Sequence, residues 1–281
     1  MRYTLTLLLT LAACFAAQAL ALRAIGGRTT KSESNFFSSI GRIQAGAQGR
    51  PGMIVLGSSI TGRLPDRAQG YEGVANMGCD GGSGIDTLRA MDKGILPSAP
   101  ILVIEANTLD LALEPGTTEI GTAMTRQWFR VGKNLPLLSA YARPSAFFYT
   151  ILLARRIGGA QHARDGDNLG VRSVPHAIDS APAGKLTARQ EELIGEIRGI
   201  LARLKAKGCK SMIVWLPPAR AAGAPPPDWV MELVHRSGSV WWDPGQEADP
   251  ALIRLTDGVH MDSLSAARTM NSLQLVRSYA K

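Results

Sequence analysis

Met53-Ile54-Val55-Leu56 is an unbroken apolar run of four residues that stops at Gly57. A run this short, closed by glycine, has the form of a strand buried on both faces of a parallel sheet. Four more follow. Residues 73–77 end in the glycine-rich Gly78-Cys79-Asp80-Gly81-Gly82, and residues 101–105 run into Ala106-Asn107. Residues 211–216 stop at Pro217-Pro218, and residues 240–243 form a shorter fifth run. Helical patterns lie between them. Over 187–207, Thr187 and Gln190 make a capping box, and Leu193, Ile194, Ile197, Ile200, Leu201 and Leu204 form one apolar stripe. Lys205 and Lys207 suit the negative end of the helix dipole, and Gly208 supplies the stop. Residues 86–91 and 263–279 read as further helices. Strands alternating with helices predict an α/β fold: a three-layer α/β/α sandwich around a central parallel sheet of about five strands.

The first 24 residues stand outside this pattern. Arg2 precedes an apolar stretch from Tyr3 to Leu22, which reads as an export segment. Ala19-Leu20-Ala21 offers a signal-peptide cleavage site, and Leu11-Ala12-Ala13-Cys14 has the form of a lipoprotein box. The stretch also has the roughly 20 residues needed for an uncleaved anchor. Each reading places the remainder outside the cytoplasm, periplasmic or secreted, with membrane association through this segment as one outcome. Residues 25–52, rich in Gly, Ser, Thr, Arg and Gln, read as a linker or stalk with one short helix around 36–43. Residues 53–281 then form the main domain. Its stretch 124–185 fits the alternation poorly and reads as an insertion, either a lid beside the site or extra helical packing.

The net charge of +8 comes from Lys and Arg scattered along the chain without an aromatic-plus-basic platform, so nucleic acid is not the expected partner. Cys14, Cys79 and Cys209 include no CxxC pair, which argues against a structural zinc or dithiol site. Cys79 and Cys209 read as buried thiols, with a disulfide between them left open.

Reactive groups in such sheets collect beyond the C-terminal strand ends. Ser58 and Ser59 follow the first strand, where a serine can project into a cleft or simply cap a helix. Gly81 lies after the second strand, where glycine lets a backbone N–H approach a substrate oxygen or makes a plain turn. Asn107 follows the third, as an oxyanion donor or a loop cap. Near the C-terminus comes Thr256-Asp257-Gly258-Val259-His260-Met261. Of four histidines, His162 and His176 fall in the insertion and His235 on a helix-like stretch. His260 has Asp257 three residues earlier, placed to bond one ring nitrogen while the other faces a serine.

These pieces, in this order, resemble the four blocks of the SGNH hydrolases, the GDSL-like family of esterases, lipases and O-acyltransferases. Gly57-Ser58-Ser59-Ile60-Thr61 resembles the serine block, with Ser58 where the common motif has aspartate. Asn76-x-Gly78-x-x-Gly81 resembles the glycine block. Glu105-Ala106-Asn107-Thr108 keeps only the asparagine of Gly-x-Asn-Asp, and Asp257-Gly258-Val259-His260 is similar to the last block in full. The resemblance spans 53 to about 279. It implies the SGNH/flavodoxin-like fold and a catalytic set of Ser59, His260 and Asp257. Backbone N–H groups of Ser59 and Gly81 and the Asn107 amide would form the oxyanion hole, with no metal or cofactor. The implied substrate is an acyl ester, above all acetyl on an extracytoplasmic carbohydrate. The rival expectations are a lipase or lysophospholipase and a non-catalytic binding or assembly protein.

Overall fold

The computed structural model describes residues 2–24, 31–157, 167–180, 184–218 and 225–277. Their helices and strands, in order, are α1 (Arg2–Ala24), α2 (Asn35–Gly46), β1 (Met53–Leu56), α3 (Ser59–Gly62), β2 (Val74–Asn76), α4 (Ile85–Asp92), β3 (Ile101–Glu105), α5 (Glu119–Met124), α6 (Gln127–Asn134), α7 (Pro144–Ile157), α8 (Ala188–Ala206), β4 (Lys210–Val214), α9 (Asp228–Ser237), β5 (Val240–Trp242) and α10 (Ser263–Val276). The five expected strands are all present, with ends moved by at most two residues.

They pair in the order β2-β1-β3-β4-β5, every neighbour parallel. Side chains alternate along each strand because successive Cβ atoms point to opposite faces. Ile54, Leu56, Leu102, Ile104, Ile213 and Trp241 meet α2, α4, α8 and α9 on one face. Met53, Val55, Ile101, Val103, Met212, Val214 and Trp242 meet Met270 and Leu273 of α10 on the other. The result is a three-layer α/β/α sandwich. Since β1 lies between β2 and β3, the chain leaves β1 in one direction and later returns on its other side. That reversal is a topological switch point, which opens a crevice beyond the strand ends. The turns after β1 and β3 stand at that switch point.

α8 follows its sequence signals closely. Thr187 and Gln190 exchange capping-box hydrogen bonds, and the predicted apolar stripe is buried. The helix expected over 263–279 runs to Val276 before the end of the described residues.

One segment differs from expectation. Residues 25–52 are not a stalk throughout. α2 is part of the core, with Ile40 and Ile43 fully buried. Its polar residues are buried too, because they serve neighbouring loops: Gln44 donates to the Phe129 carbonyl and accepts from the Ala140 N–H. The described part of 124–185 includes core packing, one of its two expected roles, and edge cover, beside exposed apolar side chains. Met124, Phe129 and Ala140 join the core, while His176 pairs antiparallel with Trp241 beside the outer strand β5. A covered strand edge cannot template pairing with another chain. His162 lies outside the described residues.

α1 is long and apolar enough to cross a membrane by length and composition, and Leu22 is its one buried residue. Cys79 and Cys209 are both buried free thiols. Burial pushes the Cys79 thiol up to about 11, so it stays protonated at neutral pH.

Candidate active site

Chain direction changes sharply after β1. Ser58 is extended and its Oγ accepts from the Ile60 N–H at 3.0 Å, starting the one-turn helix α3. Ser58 is therefore the N-cap, buried and engaged, and Ser59 is the first helical residue, half-buried. Gly57 permits the turn: a Cβ there would enter the space of the Thr61 and Glu105 side chains.

The histidine arrives from the other end of the chain. Leu255 and Met261 form an antiparallel bridge that closes a tight loop, and Gly258 takes a left-handed φ of 81° within it. Asp257 pins the loop from inside, its Oδ1 accepting the backbone N–H groups of His260 at 2.8 Å and Val259 at 3.2 Å. Its Oδ2 lies 2.7 Å from His260 Nδ1. His260 Nε2 lies 2.8 Å from Ser59 Oγ. Asp257, His260 and Ser59 thus form one continuous chain of hydrogen bonds across 201 residues of sequence separation. The His260 backbone N–H and then its imidazole hold the Asp257 carboxyl well below the usual carboxylate range, so it remains an anion through mildly acidic pH. A carboxylate on Nδ1 fixes the tautomer that presents Nε2 as a base towards the serine.

The three expected oxyanion donors share one property: each has an N–H without a protein acceptor among the described residues. The Ser59 N–H has none, as the first N–H of a helix has no intrahelical acceptor. The Gly81 N–H has none, and its φ of 77° is a conformation that favours glycine. Asn107 donates one N–H to the Leu216 carbonyl at 3.0 Å, and its oxygen accepts the Leu216 N–H at 2.7 Å. That two-point clamp orients the amide and leaves its second N–H over. Asn107 is therefore both a loop tie and a candidate donor.

Three residues outside the expected set organise these turns. Glu105 ends β3 at 1% exposure and receives five hydrogen bonds. Oε2 accepts from the Ser58 N–H at 2.9 Å, the Thr61 N–H at 3.0 Å and the Thr61 hydroxyl at 2.6 Å. Oε1 accepts from the Ser58 hydroxyl at 2.7 Å and the Thr108 hydroxyl at 3.1 Å. Donors alone surround it, which suits an acceptor-only carboxylate. The Ser58 hydroxyl at the end of β1 and the carboxylate at the end of β3 therefore meet directly.

Asn76, at the end of β2, donates to the Thr61 and Leu64 carbonyls at 2.7 and 2.6 Å and accepts from the Gly78 N–H at 2.9 Å. It ties the serine turn to the glycine loop. Arg42 of α2 braces that loop from behind, donating to the Gly78 carbonyl at 2.6 Å and pairing with Asp80 at 3.1 Å. Both partners of this ion pair are largely buried. Removing one side of a buried pair strands the other, at a cost of about 3–5 kcal/mol. Arg42→Met should therefore lower stability by about 3 kcal/mol, read as a lower denaturant midpoint at unchanged slope.

Lys31 lies in the field of Arg63, Asp80, Arg42 and Asp257, and burial followed by Arg63 holds it below the usual lysine range. His176 is bonded at the sheet edge and His235 sits on α9, so neither serves this site. Comparison with known proteins finds no matching family model, no matching curated protein and no matching solved structure.

Proposed function

We propose that the chain is a serine esterase or O-acyltransferase of the SGNH type, working outside the cytoplasm on acyl esters, above all acetyl groups of a carbohydrate. The observation that carries this reading is the hydrogen-bond chain from Asp257 through His260 to Ser59. Ser59, Gly81 and Asn107, at the turns after β1, β2 and β3, each keep an N–H without a protein acceptor among the described residues. Ser59 Oγ attacks the ester carbonyl as its proton passes to His260 Nε2. The carbonyl oxygen becomes an oxyanion, received by the N–H groups of Ser59 and Gly81 and the Asn107 amide. Collapse expels the alcohol, which takes the proton from His260 and leaves Ser59 acylated. Water or a sugar hydroxyl then gives its proton to His260 and attacks the acyl-enzyme, and the same donors receive the second oxyanion. Its collapse breaks the bond to Ser59 Oγ, which takes the proton back from His260. Asp257, anionic throughout, steadies the imidazolium in both halves.

The carbohydrate preference follows from the resemblance and from the export reading of α1. A lipid ester is the second reading, favoured by the exposed apolar side chains of α6 and α7. p-Nitrophenyl esters of increasing chain length separate the two. Acetate turned over at least tenfold faster than octanoate supports the small-acyl reading, and the reverse order supports a lipase. Hydrolysis of neither, with transfer to a sugar also absent, would sink both in favour of a binding protein.

A further inference from the structure

Outside α1, eleven large apolar side chains are exposed among the described residues, and seven of them fall between Trp128 and Leu152. Five cluster on α6 and the turn after it: Trp128, Val131, Leu135, Leu137 and Leu138. The inward side of the same helix is ordinary core, with Phe129 and Gly132 buried. Soluble surfaces rarely concentrate apolar side chains in this way unless something covers them.

Charge distinguishes the patch as well. From Ile120 to Leu152 there is no aspartate or glutamate, while Arg126, Arg130, Lys133 and Arg143 are present. Arg143 is used internally, pairing with Glu33 and lying over the Phe37 ring, and Lys133 is tied to the Ile95 carbonyl. Arg126 and Arg130 are exposed and meet no acid among the described residues. A short helix offering tryptophan, aliphatic side chains and free arginines has the composition of an element lying in a membrane interface.

α1 supplies the direction. Gln18, inside its apolar stretch, donates its amide to the carbonyls of Leu137 and Ala142. A side-chain amide within a membrane span needs a partner, since lipid offers none. Here the partner is the turn that carries Leu137 and Leu138. Gln18 lies six residues before the end of α1, about 9 Å along its axis at 1.5 Å per residue. If α1 spans the bilayer up to its last turn, the Leu137 turn sits below that end, at the depth of about 5–10 Å to which interfacial helices bury their apolar face.

We propose that α6 and the following turn, beside α1, form a docking surface for an anionic bilayer. The domain then lies against the membrane, held there by α1 and this surface together. The inference does not depend on the chemistry at Ser59.

Tryptophan fluorescence provides the test, because Trp128 is 43% exposed while Trp215, Trp229, Trp241 and Trp242 are at most 5% exposed. The full chain is reconstituted into vesicles of phosphatidylcholine and phosphatidylglycerol brominated close to the headgroup. The expected result is quenching that disappears in Trp128→Phe and falls at least twofold in Arg126→Glu/Arg130→Glu, with flotation showing every protein bound. Absent quenching in floated wild-type protein would overturn the proposal, as would quenching unchanged in Trp128→Phe. Quenching that ignores the charge reversal would overturn the anionic preference. Self-association of the full chain with Trp128 unquenched would assign the patch to a second copy instead.

Discussion

Ser59→Ala is expected to reduce ester hydrolysis by about 10⁴-fold or more while leaving the thermal transition nearly unchanged. The magnitude follows from the part the group plays. Serine and its histidine act as one unit, so deleting either loses most of what the pair contributes. His260→Ala should therefore fall to a similar residual rate, and the double variant should be little worse than either single one. On the proposed mechanism the residual would belong to the donors at Ser59, Gly81 and Asn107, which do not need the nucleophile. Ser58→Ala separates chemistry from scaffolding. Its hydroxyl caps α3 and donates to Glu105, so its loss should cost about 1–2 kcal/mol of stability and leave nucleophilic reactivity in place. Steady-state rates and melting curves of the four variants check all of these.

Glu105→Ala should be the most destabilising single change near the site. It strands the backbone N–H groups of Ser58 and Thr61 in a buried setting, at about 1–3 kcal/mol each, and opens a cavity where the side chain was. A loss of about 4 kcal/mol corresponds to a fall in Tm of roughly 10 °C for a domain of this size. Catalysis should fall at least tenfold, since the same carboxylate holds both sides of the Ser59 turn. Glu105→Gln keeps the volume and one accepting oxygen, so it should recover much of the stability and part of the rate. The hydroxyls of Ser58 and Thr108 can rotate to accept from the new amide. An alanine variant with unchanged Tm and rate would show that the turn holds itself.

The strands and α8 were legible in the sequence because their signals are local. A short apolar run closed by Gly57, or a capping box at Thr187 followed by a stripe ending at Gly208, is complete within a few turns of chain. Asp257 and His260 were legible for the same reason, three residues apart in one loop. What pattern reading missed was long-range and polar. α2 carries Ser39, Arg42 and Gln44 on buried positions, so its apolar face looks too narrow for a core helix. Those polar groups are hydrogen-bonded to the glycine loop and the α6 region, which compensates for their burial. Against the motif it resembles, Glu105 reads only as a mismatch to glycine until the sheet order sets β3 beside β1. A charged residue closing an otherwise apolar five-residue run was the available signal, since a buried carboxylate must find donors. Ser58, where the motif it resembles has aspartate, was its counterpart, 47 residues away.

The most direct test of the central claim is covalent. The full chain is incubated with a fluorophosphonate and its digest analysed by mass spectrometry. A single adduct on the peptide carrying Ser59, present in Ser58→Ala and absent in Ser59→Ala and His260→Ala, is the predicted result. An unmodified wild-type protein, or an adduct that survives Ser59→Ala, would contradict it.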